Sequence, residues 1–228
     1  MLDDMQVLGR EGSIATQNKV LRNTYALLGL TMIPTVIGAL LGMKMNFALL
    51  AMHPFMFAIG AMAVMYGMFA AISANRNSSI GVVLLLGLTF LLGLMLGPIL
   101  QYALHLSNGA QIVGLAAGGT GVILMTMAGI ATTTKKDFNF MGKFLMIGII
   151  LLIVASLANI FLHIPAMTLA LSGIGVILFS GFILYDVSRI VNGGETNYVM
   201  ATLSLYMSVY NLFTSLLQLL LGLMGSND

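Results

Sequence analysis

Seven apolar runs, each about 20 residues long, follow one another from residue 24 to residue 224 with only short polar breaks between them. A helix of that length crosses roughly 30 Å of hydrocarbon. Lipid offers no partner to a bare backbone, so such runs must be helices that satisfy their own N–H and C=O groups. The spans are predicted near 24–43, 54–73, 80–102, 109–131, 142–162, 166–187 and 198–224. The fold class is therefore an all-α integral membrane protein, a seven-transmembrane-helix bundle in the lipid bilayer. Charge usage agrees: 7% of the 228 residues are charged, against roughly a quarter in a soluble domain. Most of the outside must face lipid.

Residues 1–23 differ from the rest. They carry Asp3, Asp4, Arg10, Glu11, Lys19 and Arg22, and precede any run apolar enough for a cleaved signal peptide. The expectation is a flexible, solvated N-terminal tail followed by one transmembrane domain, 24–228. The breaks carry turn chemistry: Asn75 to Ser79, Ser107-Asn108-Gly109, Thr132 to Asn139, Pro165, and Asn192 to Asn197. Pro34 falls inside the first span, where a kink is expected.

The basic residues orient these spans. With the N-terminus cytoplasmic, that side holds Arg10, Lys19, Arg22, Arg76, Lys135, Lys136, Lys143 and Arg189, and the other side holds Lys44 alone. That bias matches the positive-inside rule and places the C-terminus outside. A re-entrant last segment, with six spans, is the alternative, because Asp228 alone cannot fix the final end.

Composition excludes several functions. There is no cysteine, hence no disulfide, thiolate nucleophile or Cys-ligated metal. Nine scattered Lys and Arg do not make a nucleic-acid surface. No phosphate loop, nucleophile elbow, zinc-protease helix or dinucleotide fingerprint is present. The chain is not expected to be an enzyme or to carry a cofactor. Its methionines read as packing.

The last span carries the clearest pattern. Ser204, Ser208, Asn211, Ser215 and Gln218 recur at spacings of four, three, four and three, and Ala201, Gly222 and Gly225 extend the line. At helical pitch this is one small, polar face. Such a face suits an inner helix, either for interhelical hydrogen bonding or as the lining of a polar cavity. Asp186, after Phe182 to Tyr185 at the end of span six, is an ionisable group near membrane depth. It is read either as a functional carboxylate or as the partner of Arg189, three residues on. Glu195 is placed to favour the N-terminus of the last helix. His53, His105 and His163 all fall at breaks on the outer side, where solvated histidines are more expected than a metal site. Gly38 with Gly42, Gly93 with Gly97, and Gly114 with Gly118 are small pairs that permit close helix approach.

Three stretches together support a resemblance. Lys19-Val20-Leu21-Arg22-Asn23-Thr24-Tyr25 opens span one. Gly97-Pro98-Ile99-Leu100, then Ala116 and Thr120-Gly121-Val122-Ile123, follow in spans three and four. Gly193-Gly194-Glu195-Thr196-Asn197-Tyr198, Leu203-Ser204-Leu205-Tyr206 and Tyr210-Asn211-Leu212-Phe213 close the chain. In order and spacing the chain resembles the Bax inhibitor (transmembrane Bax inhibitor motif) family, in its bacterial YccA-like branch. The resemblance implies a seven-helix membrane fold with the last helix central, in a bacterial inner membrane. It also implies two activities. One is modulation of the membrane AAA protease FtsH, with the protein also a slow substrate engaged through its N-terminal tail. The other is a pH-sensitive calcium leak, with calcium as the transported ion and two Asp residues on helices six and seven as the sensor. The first Asp of that pair matches Asp186, and the second falls on Ser208. Ser204, Asn211, Ser215 and Gln218 would line the same path.

Overall fold

The computed structural model describes the backbone of residues 2–46, 54–134 and 136–225, and side chains in these ranges from Thr16 onward except 54, 55, 57 and 58. His53, Lys135 and the last three residues, with the side chains of Asp3, Asp4, Arg10 and Glu11, lie outside the described set. Within it the chain is helical and contains no strand. The helices are α1 (Leu2–Gly42), α2 (Pro54–Ala74), α3 (Ser79–Met95), α4 (Gly97–His105), α5 (Gly109–Thr134), α6 (Met141–Leu162), α7 (Pro165–Val191) and α8 (Tyr198–Met224). Leu96 keeps helical dihedrals, so α3 and α4 form one apolar stretch, Ser79–His105.

Six stretches among the described residues are long and apolar enough to cross a membrane: Thr16–Gly42, Ser79–His105, Gly109–Thr134, Met141–Leu162, Pro165–Val191 and Tyr198–Met224. The 21-residue α2, apolar over Ile59–Ala74, fits the expected count of seven. The ends agree with the hydropathy reading to a few residues except at the first span. Helical backbone there starts at Leu2, well before residue 24. The packed part also begins early: Val20 is buried against Ile190 and Ala201. Lys19 and Arg22 stay on the exposed side of the same turns, so average hydropathy hides the buried side.

The main core lies between α1, α3, α7 and α8, with Leu27, Leu85, Leu88, Ile183, Leu205 and Leu212 among its buried side chains. Helix α8 packs against α1, α2, α3, α5 and α7. Helix α6 packs on α7, where Gly148 faces Leu178 and Gly181 faces Leu145.

Helices α1 and α3 meet backbone to backbone. A side chain at Gly38 would strike the backbone of Phe90 and Leu94, and one at Gly93 the backbone of Thr35. Gly97 sits against Gly42 in the same way. Two of the three small pairs thus form a helix crossing. Gly114 and Gly118 do not: nothing lies within 4 Å of where their side chains would be.

The turns gather at two ends. At one, Asn197 Nδ2 donates to Arg76 O (3.0 Å) and Asn77 Oδ1 (2.8 Å), and Ser188 Oγ donates to Lys136 O (3.1 Å). At the other, Gln101 Nε2 donates to Met43 O (2.7 Å) and Met45 O (3.0 Å), and Asn108 Nδ2 to Met224 O (3.1 Å). Arg76, Lys136 and Arg189 therefore share one end and Lys44 lies at the other, which is the segregation that the charge bias requires.

Candidate functional site

Asp186 lies in the penultimate turn of α7, on the side turned to α8. It is buried, 8% exposed. Ser208 Oγ donates to Asp186 Oδ2 at 2.8 Å and also lies 3.1 Å from Ser204 O, one turn earlier in its own helix. The two positions singled out by the resemblance are thus in direct contact. A serine hydroxyl offers a single proton, so it can satisfy one lone pair of the carboxylate.

The alternative partner, Arg189, is engaged elsewhere. Its guanidinium lies 3.9 Å from Glu195, donates to Gly194 O at 3.3 Å and sits 5.7 Å from the centre of the Tyr185 ring. The reason is the turn between α7 and α8. Gly193 takes φ +77°, a left-handed conformation that folds the chain back over the end of α7. Glu195 Oε1 then accepts from Asn197 N–H at 2.8 Å. The cap of α8 is Asn197 rather than Glu195: its Oδ1 accepts from Val199 and Met200 N–H at 3.1 and 3.0 Å. Tyr198 begins the helix and packs near Val20.

The polar line on α8 is divided by its neighbours. Ser208 and Ser215 are buried, Asn211 is half-buried, and Ser204 and Gln218 are exposed. Ser215 Oγ occupies the space beside Gly175 of α7. Asn211 Nδ2 donates to Met207 O within its own helix (2.8 Å), and Gln218 Oε1 accepts from Ser172 Oγ (3.3 Å). Beyond these bonds the line borders open space. A cavity of about 440 Å³ lies between α6 and α8 over Ser172, with Asn211, Ser215 and Gln218 on its wall. A second, of about 710 Å³, continues it toward the α6–α7 turn and shares Ser156, Ile160, Leu171 and Gln218.

Several polar residues of this region escaped the sequence reading. Ser156 and Asn159, three apart, and Thr168 and Ser172, four apart, make pairs too short to stand out as a face in their apolar runs. Asn159 Nδ2 donates to Thr168 Oγ1 (2.7 Å) and its Oδ1 accepts from Ile164 N–H (3.1 Å), which fixes the α6–α7 turn. On the far side of α8, Tyr206 OH and Thr35 Oγ1 are 2.8 Å apart, and Tyr210 OH donates to Leu92 O at 3.1 Å.

Of the motif residues, Arg22 is exposed and Asn23 half-buried on α1, and Gly97-Pro98 start α4. His105 Nδ1 is 2.6 Å from Gln101 O, and exposed His163, at φ 52°, closes the α6–α7 turn. Among the described residues no group of three His, Asp or Glu is placed to hold a metal.

A membrane bundle of this order, with its motif residues at the turns, belongs to the Bax inhibitor family: the family model described as "Inhibitor of apoptosis-promoting Bax1" matches residues 17–227. The chain is 43% identical to an uncharacterized protein of Neisseria meningitidis serogroup A over 216 residues, covering 93% of this chain and 94% of that one. It is 41% identical to an uncharacterized membrane protein of Vibrio cholerae, covering 92% of each chain. It is 39% identical to the Escherichia coli K12 protein named "Modulator of FtsH protease YccA", covering 91% of this chain and 92% of that one.

Proposed function

We propose that this chain is an inner-membrane modulator of an FtsH-type AAA protease, and a slow substrate of it, acting in membrane-protein quality control. The observation that carries the reading is the near full-length likeness to the Escherichia coli protein named for that role. A charged segment ahead of Thr16, the start of the first candidate span, supplies what a protease that pulls on its substrates must reach. In this reading the N-terminus and the Arg76, Lys136 and Arg189 end are cytoplasmic, the C-terminus is outside, and α8 is the central helix, with α1, α2, α3, α5 and α7 packed on it.

Deleting residues 2–15 tests it. In cells that hold the protease, the deletion is expected to lengthen the half-life of the chain several-fold and to relieve its effect on degradation of other membrane substrates. Turnover and effect both unchanged would sink the reading.

A second reading, a cation leak, is favoured by one observation: the buried Asp186 carboxylate lies against Ser208 beneath the polar line of α8. Oxygen ligands of this kind suit a hard cation such as calcium. Calcium flux into proteoliposomes at pH 6 and pH 8 is expected to fall in Asp186→Asn. Flux no greater than in empty vesicles would dismiss it.

A further inference from the structure

The two cavities beside α8 form one trough. On α8 it runs from Met207 to Gly222, and on α6 from Ile149 to His163. At 1.5 Å per residue each side is about 21–23 Å long, most of the hydrocarbon thickness. One wall is α6, apolar but for Ser156 and Asn159, and the floor is α7. The opposite wall is the polar line of α8. Met65 of α2 and Ile99 and Tyr102 of α4 reach its margins, and the trough is open because α6 packs chiefly on α7 rather than on α8.

Its chemistry is unusual for a surface at membrane depth. Gln218 has its oxygen bonded to Ser172, while its NH₂ group has no partner among the described residues. Asn211 is the reverse: its NH₂ is bonded to Met207 O and its oxygen is free of any described partner. The two amides are seven residues apart on one face, two helical turns, so they present a donor and an acceptor about 10 Å apart. Acyl chains can satisfy neither group. No Asp, Glu, Lys or Arg lines either cavity, and His163 sits only at the α6–α7 turn, which argues against an ionic ligand or a lipid phosphate along the trough. The length argues against a compact solute. A straight, elongated, uncharged site with amides at helical spacing matches another helix.

We propose that the trough between α6 and α8 receives a transmembrane helix of another membrane protein, one that carries uncharged polar side chains along one face. Such a helix hydrogen-bonds to Asn211 and Gln218 while its apolar side packs on α6. This rests on the modulator reading and names the class of partner that the quality-control role would present: a membrane segment whose polar face has lost its own companion helix.

The test uses the full-length chain in phosphatidylcholine vesicles, with a donor fluorophore on Lys44→Cys. The acceptors are synthetic lysine-flanked helices of about 22 leucines, one unmodified and one with asparagine at two positions seven residues apart. The asparagine helix is expected to associate about tenfold more tightly than the leucine helix. The double variant Asn211→Leu, Gln218→Leu is expected to remove the difference. A second variant, Ser156→Trp, fills the trough from an exposed position on α6 without touching the core, and is expected to remove it as well. Equal binding of the two helices, or a difference that survives both variants, overturns the proposal. So does association between two copies of the chain that the asparagine helix does not displace. No protease is present, so a failure here is separate from the outcome of the tail deletion.

Discussion

Asp186 and Ser208 set the finest scale at which the protein can be tested. Among the described residues, Ser208 is the one side chain that donates to the Asp186 carboxylate. A buried acceptor that loses its donor keeps the full cost of having left water. Ser208→Ala should therefore lower stability by about 1–3 kcal/mol, read as a fall in thermal unfolding midpoint in detergent, and Ser208→Thr should recover most of it. A midpoint unchanged in Ser208→Ala would mean that the contact holds nothing. The neighbouring turn offers a contrast. Arg189 and Glu195, 33% and 24% exposed and 3.9 Å apart, form a pair of the kind that contributes about 0–1 kcal/mol. Glu195→Gln keeps the oxygen that accepts from Asn197 and should change stability by less than about 1 kcal/mol. Asn197→Ala should cost about 1–2 kcal/mol for the cap alone, because Val199 and Met200 N–H lose their acceptor. Parallel unfolding curves for the two variants decide the ranking. Equal losses would mean that the ion pair, and not the cap, holds the turn.

Among the elements, the crossing of α1 with α3 and α4 is the tightest contact. Gly97→Ala would push a methyl group into the Gly42 backbone, which cannot withdraw as a flexible side chain can. A loss of about 1–3 kcal/mol is expected, while Gly118→Ala, with open space around it, should be neutral or slightly stabilising. Unfolding midpoints for both check this, and a neutral Gly97→Ala would show that the helices can part. The same elements show what was legible beforehand. Helix ends after the first were readable to within about four residues because turn residues mark them. Small-xxx-small spacing was readable as a pattern, yet it does not say which helix lies opposite, and Gly114 with Gly118 faces open space. The start of α1 was not readable from hydropathy, since Val20 and Thr24 are buried on one side of turns whose other side bears Lys19 and Arg22. The polar face of α8 was visible as periodicity. Its division into bonded and open positions was not, because that depends on α6 packing over α7 and away from α8.

For the whole molecule, the arrangement of ends is the feature with the widest reach. The chain lacks cysteine, so single cysteines report location without background. Lys44→Cys should react with a membrane-impermeant maleimide in intact spheroplasts, and Arg76→Cys only after the membrane is opened. Labelling of both, or the reverse pattern, would overturn the proposed orientation. The first helix gives this topology a mechanical meaning. From Leu2 to Gly42 it is one continuous helix with Pro34 inside it, docked at Val20 near its middle and locked at Gly38 and Gly42 at its C-terminal end. Tension applied ahead of Thr16 reaches the small Val20, Ile190 and Ala201 contact first, then the main core at Leu27 and Leu28, and the interlocked backbones last. On the proposed reading, extraction from the N-terminus would meet the glycine crossing as its last and firmest obstacle in α1. On the proposed modulator reading, this order of contacts is what would make the chain a slow substrate.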